Sequence, residues 1–133
     1  IDDDLDDQEI FSLALQQVSE RFQCKMANDG YEALQLLTSD SYELPDFIFL
    51  DLNMPRMNGK ECLIEIKKHA HLKDIPVIIY STSSFQDDII QSARLGAAAF
   101  ITKPFSIDEL SAKLAEVFKA HKVNFSGRVE SVR

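Results

Sequence analysis

The residues whose types could do chemistry fall just past apolar runs. Asp2 and Asp3 follow Ile1. Asp51 ends the run Phe-Ile-Phe-Leu at 47–50, and Ser81 and Thr82 follow Pro-Val-Ile-Ile-Tyr at 76–80. Thr102, Lys103 and Pro104 follow Ala-Ala-Ala-Phe-Ile at 97–101. If these runs are parallel strands of one open sheet, the side chains converge, because such sheets bind ligands beyond the carboxyl ends of their strands. Three carboxylates do not gather freely: two unit charges about 4 Å apart repel by roughly 4 kcal/mol at an effective dielectric of about 20. A divalent cation removes that cost, and an all-oxygen ligand set selects Mg²⁺. An aspartate beside Mg²⁺ and a movable ammonium suits phosphoryl transfer, the carboxylate attacking in line.

The elements that must position these groups alternate in type. Asp7–Phe22 has a helical period in Ile10, Phe11, Ala14, Val18 and Phe22. Gln23–Ala27 reads as a short strand, Asn28-Asp29-Gly30 as a turn and Tyr31–Ser39 as a helix. Phe47–Leu50, Val77–Tyr80 and Ala98–Ile101 are wholly apolar, as strands buried on both faces are. Asn53–Gly59 is loop, Lys60–Ala70 an amphipathic helix, and Phe85–Leu95 a helix stopped by Gly96. Ile107–His121 is the clearest helix, opened by Ser106 with Glu109 three residues on. Gly59 reads as a residue placed for its backbone angle at a helix start. The alternation predicts parallel βαβ units and a doubly wound α/β sheet.

Composition removes other classes. The chain has 133 residues, one domain's worth, and 45% of them are apolar, enough to fill a core. Its net charge of −8 argues against gripping nucleic-acid phosphates directly. Six of the 22 acids lie in the first nine residues, so the excess is local and calls for a cation or for plain solvation. No apolar run approaches the roughly 18 residues of a membrane span, and no signal peptide is visible. Cys24 and Cys62 lack partner motifs and suggest packed thiols in a reducing compartment, hence a cytoplasmic protein. His69, His71 and His121 show no ligand spacing. Only Ile1 precedes the acidic cluster, so most of the central strand is expected upstream of residue 1. Residues 1–121 are expected to form the domain and 122–133 a tail or linker.

The run Asp51-Leu-Asn-Met-Pro-Arg-Met-Asn-Gly59, with Asp2-Asp3 before it and Lys103-Pro104-Phe105 after it, closely resembles the receiver domain of two-component response regulators. The resemblance spans roughly residues 1–120. It implies a flavodoxin-like (βα)5 fold, a three-layer sandwich with strand order 2-1-3-4-5. It makes Asp51 the phosphoacceptor for a sensor histidine kinase or phosphotransfer protein. Asp3, supported by Asp2, resembles the Mg²⁺-binding pair, and Asn53 sits where the family offers a backbone carbonyl to the metal. Ser81 matches the switch hydroxyl, Phe100 the aromatic that follows it inward, and Lys103 the lysine that pairs with the phosphoryl group. The implied output surface is the fourth helix, last strand and last helix, facing a downstream partner or a second copy of the chain. Such a chain is a signalling phosphoacceptor with self-catalysed phosphorylation and dephosphorylation, not an enzyme turning over a free substrate.

Departures are modest: Ser for the commoner Thr at 81, Phe for Tyr at 100, and further acids at 4, 6 and 7. Asp4, Asp6 and Asp7 read as a solvated helix start. Ser81–Ser84 also suits a plain polar loop, and Phe100 also suits simple core. A haloacid-dehalogenase-like phosphatase needs an acid where Asn53 stands. A flavodoxin-like electron carrier needs a Ser/Thr/Gly-rich first loop, and an EF-hand needs glycine where Asp7 stands. The remaining alternative is a receiver-like interaction module that is never phosphorylated.

Overall fold

The computed structural model describes residues 1–39, 43–54 and 56–121. The elements run α1 Leu5–Val18, α2 Gly30–Leu37, β1 Ile48–Leu50, α3 Gly59–Lys68, β2 Val77–Ser81, α4 Gln86–Arg94, β3 Ala99–Thr102 and α5 Ile107–Ala120. The three strands are parallel in the order β1-β2-β3, with Ile48 opposite Val77 and Ser81 opposite Thr102.

Because side chains alternate across a strand, the apolar runs divide between two faces. Ile48, Leu50, Val77 and Ile79 pack with Ala33 and Leu37 of α2 and with Cys62, Leu63 and Ile66 of α3. Phe47, Phe49, Ile78, Tyr80 and Ile101 pack with Phe11, Ala14 and Leu15 of α1 and with Leu110, Leu114 and Phe118 of α5. The second layer is aromatic: Phe11 meets Phe49 at 4.8 Å between ring centroids, and Phe47 meets Phe118 at 5.1 Å. The sheet is therefore the middle of three layers.

Four helices open on a polar cap. Asp4 accepts from the Asp6 and Asp7 amides, Asp29 from Glu32, Asn58 from Glu61, and Ser106 from Glu109. Only Asn58 has the full capping box, with Glu61 accepting the Asn58 amide in return. Phe85, the N-cap of α4, gives no side-chain bond. Gly96, at φ 107°, ends the α4 segment as expected.

Two expectations need correction. Gln23–Ala27, expected as a strand, shows a single bridge, at Gln23, and the sheet has three paired strands among the described residues. The Asp2 amide donates to the Ala27 carbonyl at 3.1 Å, the Ile1 nitrogen to the Phe49 carbonyl at 2.6 Å, and the Asp51 amide to the Ile1 carbonyl at 3.0 Å. Ile1–Asp2 thus lies between Ala27 and the end of β1. Second, α1 begins at Leu5 rather than Asp7, because the Asp4 carboxylate caps it there. The expected tail at 122–133 lies outside the described residues.

Candidate functional site

Backbone pairing builds the site. The bonds from Ile1 and Asp2 to their neighbours set Asp2 and Asp3 beside Asp51, which leaves the end of β1. A carboxylate oxygen from each of Asp2, Asp3 and Asp51 lies within 4.8 Å of the other two. Asp2 and Asp51 are buried and Asp3 is exposed, so the cluster opens to solvent on one side. The loop after Asp51 returns at once: the Gly59 amide donates to the Leu52 carbonyl at 2.9 Å. A Cβ at Gly59 would run into the Asp51 carbonyl oxygen and Leu52 Cα. Glycine is required here for close approach; its φ is not in the left-handed region, which corrects the backbone-angle reading.

Lys103 enters from the end of β3, its amide donating to the Ser81 carbonyl at 2.7 Å. Its ammonium donates to Asp7 Oδ2 at 2.6 Å, Asp2 Oδ2 at 2.9 Å and Asp51 Oδ2 at 3.3 Å, and lies 5.1 Å from the Tyr80 ring centroid. Asp7 was expected to be solvated; it holds the lysine at the shortest distance. With the helix starting at Leu5, Asp7 is its third residue, the place from which a side chain reaches back toward the N-cap. The spacing from Asp4 to Asp7 marks a cap and third residue, but it does not say that Asp7 faces Lys103.

The electrostatics follow from one ammonium shared by three acids. Burial pushes the Asp51 carboxyl above its usual range; Lys103 and the Asn53 amide, which donates to Asp51 Oδ1 at 3.2 Å, oppose this only partly, and Asp2 adds to it. Burial pulls the Lys103 ammonium down, but its bonds to Asp7 and Asp2 outweigh that and leave it above its ordinary value. Burial carries the Tyr80 phenol up to about 12.

The remaining expected residues sit around this centre. Asn53 is exposed beside Asp51. Ser81 is fully buried at the end of β2, and its Oγ accepts from the Ser83 amide at 3.3 Å. Phe100, opposite Ile79, is half-buried against the α2/α3 layer and lines a cavity of about 140 Å³ with Ile89, Ser92 and Ala93 of α4. The structure thus brings Asp2, Asp3, Asp51 and Lys103 together and adds Asp7. Ser81 and Phe100 stand on the neighbouring strands. Three carboxylates with all-oxygen donors, open on one side, fit a hard divalent cation.

The sequence profile of the response regulator receiver domain matches residues 1–115. The chain is 33% identical over 93 residues to chemotaxis protein CheY of Pseudomonas aeruginosa, covering 70% of this chain and 73% of that protein. It is 40% identical over 86 residues to response regulator Rcp1 of a Synechocystis species, covering 62% of this chain and 58% of that protein. Among solved structures, the phosphorylated cyanobacterial phytochrome response regulator RcpA superposes with a TM-score of 0.79 at 33% identity, covering 90% of this chain and 88% of that one. The Mn²⁺-bound form of Rcp1 superposes with a TM-score of 0.75 at 27% identity, covering 93% and 91%. The fold is the flavodoxin-like α/β fold, and the chain belongs to the response regulator receiver domain family.

Proposed function

We propose that this chain is the phosphoacceptor of a two-component system and that Asp51 takes the phosphoryl group from a phosphohistidine of a sensor kinase or phosphotransfer protein. An Asp51 carboxylate oxygen forms the new O–P bond, the P–N bond breaks, and its electron pair leaves with the imidazole, which takes up a proton. One observation carries this reading: a buried Asp51 lies within 4.8 Å of two further carboxylates and 3.3 Å from Lys103. Asp2, Asp3, Asp51 and the Asn53 carbonyl would hold Mg²⁺, which when bound neutralises their repulsion and the charge of the incoming phosphoryl group.

Lys103, already donating to three carboxylates, swings its longest bond from Asp51 to a phosphoryl oxygen. Ser81 gives up the Ser83 amide and donates to a second phosphoryl oxygen, and Phe100 moves into the space behind it. The readout is the face of α4, β3 and α5, where Phe85, Ile90 and Phe105 are exposed. That apolar face suits a downstream protein or a second copy of the chain. The acceptor is consumed one phosphoryl group at a time and restored by its own hydrolysis, which sets it apart from an enzyme. No helix among the described residues is long and apolar enough to cross a membrane. A cytoplasmic location suits the partner kinase and the two thiols, Cys24 and Cys62.

Acetyl phosphate with and without Mg²⁺ tests the assignment. Incorporation that needs Mg²⁺ and disappears in Asp51→Asn is expected; label that survives Asp51→Asn would falsify it and favour the unphosphorylated interaction module.

A further inference from the structure

Helix α4 begins differently from the other four helices. It has no side-chain cap, and its first turn is held by Asp88 instead. Asp88 Oδ2 accepts the Ser83 hydroxyl at 2.6 Å, and Oδ1 accepts the Lys60 ammonium at 2.8 Å from the first turn of α3. Lys60 also donates to Gln91 Oε1 at 2.7 Å. Bonds from Lys60 and Ser83 hold the Asp88 carboxyl below its usual range. The group borders a cavity of about 150 Å³ shared with Leu52, Asn53 and Asn58, next to the acceptor.

Ser83 is the link to the switch. Its Oγ accepts the Phe85 amide at 3.3 Å and its carbonyl accepts the Thr102 hydroxyl at 3.2 Å. Its amide donates to Ser81 Oγ at 3.3 Å. The hydroxyl that must meet a phosphoryl group is therefore engaged by a loop that Asp88 and Lys60 hold. We infer that Lys60 and Asp88 are positioning residues that latch the 81–85 loop in its unphosphorylated arrangement. Phosphorylation of Asp51 then works against this ion pair when it draws Ser81 away from the Ser83 amide. The inference rests on the acceptor reading of Asp51 and adds a residue pair that sets how readily the switch moves.

Beryllofluoride with Mg²⁺ serves as the phosphoryl mimic, its binding midpoint read by fluorine NMR of the protein-bound ion. The variants are Lys60→Met and Asp88→Asn. Each single variant lowers the midpoint about three- to tenfold, even where its melting temperature falls. Exchange of the Ser83 amide hydrogen speeds up in the single variants without any beryllofluoride. A merely structural pair would raise the midpoint as stability fell. Unchanged or raised midpoints in variants of a chain that does bind beryllofluoride overturn the latch alone. A parent chain that binds none, or binds it equally after Asp51→Asn, overturns the acceptor reading and the latch with it.

Discussion

At the residue scale, Lys103 is the charge on which the site depends. It is the cation that neutralises Asp2 and Asp51, both of them buried. Removing one member of a buried pair leaves an uncompensated charge and costs about 3–5 kcal/mol. Lys103→Ala is expected to lose a large part of that in metal-free urea unfolding, to regain some with Mg²⁺, and to take phosphate without moving the α4–β3–α5 face. A normal surface response, read by amide chemical shifts, counts against the mechanism. Asp7→Asn tests the shortest of the three Lys103 bonds. Lys103 is raised in the folded state, so its stabilisation is complete below about pH 10.4 and is lost as pH rises through the folded value. Without Asp7 that alkaline loss is expected at lower pH. An alkaline limb identical to the parent's would show that Asp7 contributes nothing to holding the proton.

The same scale shows what could be read from residue types. Asp51 and Lys103 were legible because each lies just past an apolar run and the ends of parallel strands lie together; Asp3 was legible from the acidic cluster after Ile1 and its match to the receiver-domain motif. Asp7 was not, because a carboxylate in a helix's first turn looks alike whether it faces water or an ammonium. Its partner is 96 residues away in the chain.

At the scale of elements, periodicity and caps located the five helices to within about two residues, apart from the late reading of where the first ends. The apolar runs located the three paired strands. Gln23–Ala27 shows one bridge at Gln23, and the Asp2 amide donates to the Ala27 carbonyl, so the segment borders Ile1–Asp2 without a ladder among the described residues. Gly59 makes the loop after Asp51 possible, since α3 starts against the backbone of Asp51 and Leu52. Gly59→Ala must push that backbone away and is expected to cost about 1–3 kcal/mol and to slow phosphorylation by acetyl phosphate. Asn58→Ala, which removes only the cap of the same helix, costs about 1 kcal/mol. It leaves phosphorylation closer to normal. Equal phosphorylation rates for the two variants would show that the close approach does not position Asp51.

At the scale of the whole molecule, two apolar layers flank one sheet, and the site lies where the strands end. Metal binding there would be coupled to folding, because the unfolded chain does not hold Asp2, Asp3 and Asp51 together. Mg²⁺ at about ten times its dissociation constant is expected to add about 1.4 kcal/mol to the unfolding free energy. Asp3→Asn, exposed and remote from both layers, should abolish most of that gain while leaving metal-free stability nearly unchanged. Calorimetry with and without Mg²⁺ decides it. Both layers were implied by the wholly apolar runs Phe-Ile-Phe-Leu and Val-Ile-Ile-Tyr, which must be covered on both faces. Ile1–Asp2 lies beside both Ala27 and the end of β1, where the strand order implied by the resemblance puts the end of the central strand; residue types alone do not show this, since it is a relation among three distant segments.

The chain has no tryptophan and three tyrosines, and Tyr80 carries the Lys103 ammonium over its ring. A cation withdrawn from that ring alters the phenol's emission and near-ultraviolet absorbance. The protein therefore contains its own optical gauge of lysine displacement, readable in a stopped-flow cuvette without any attached dye.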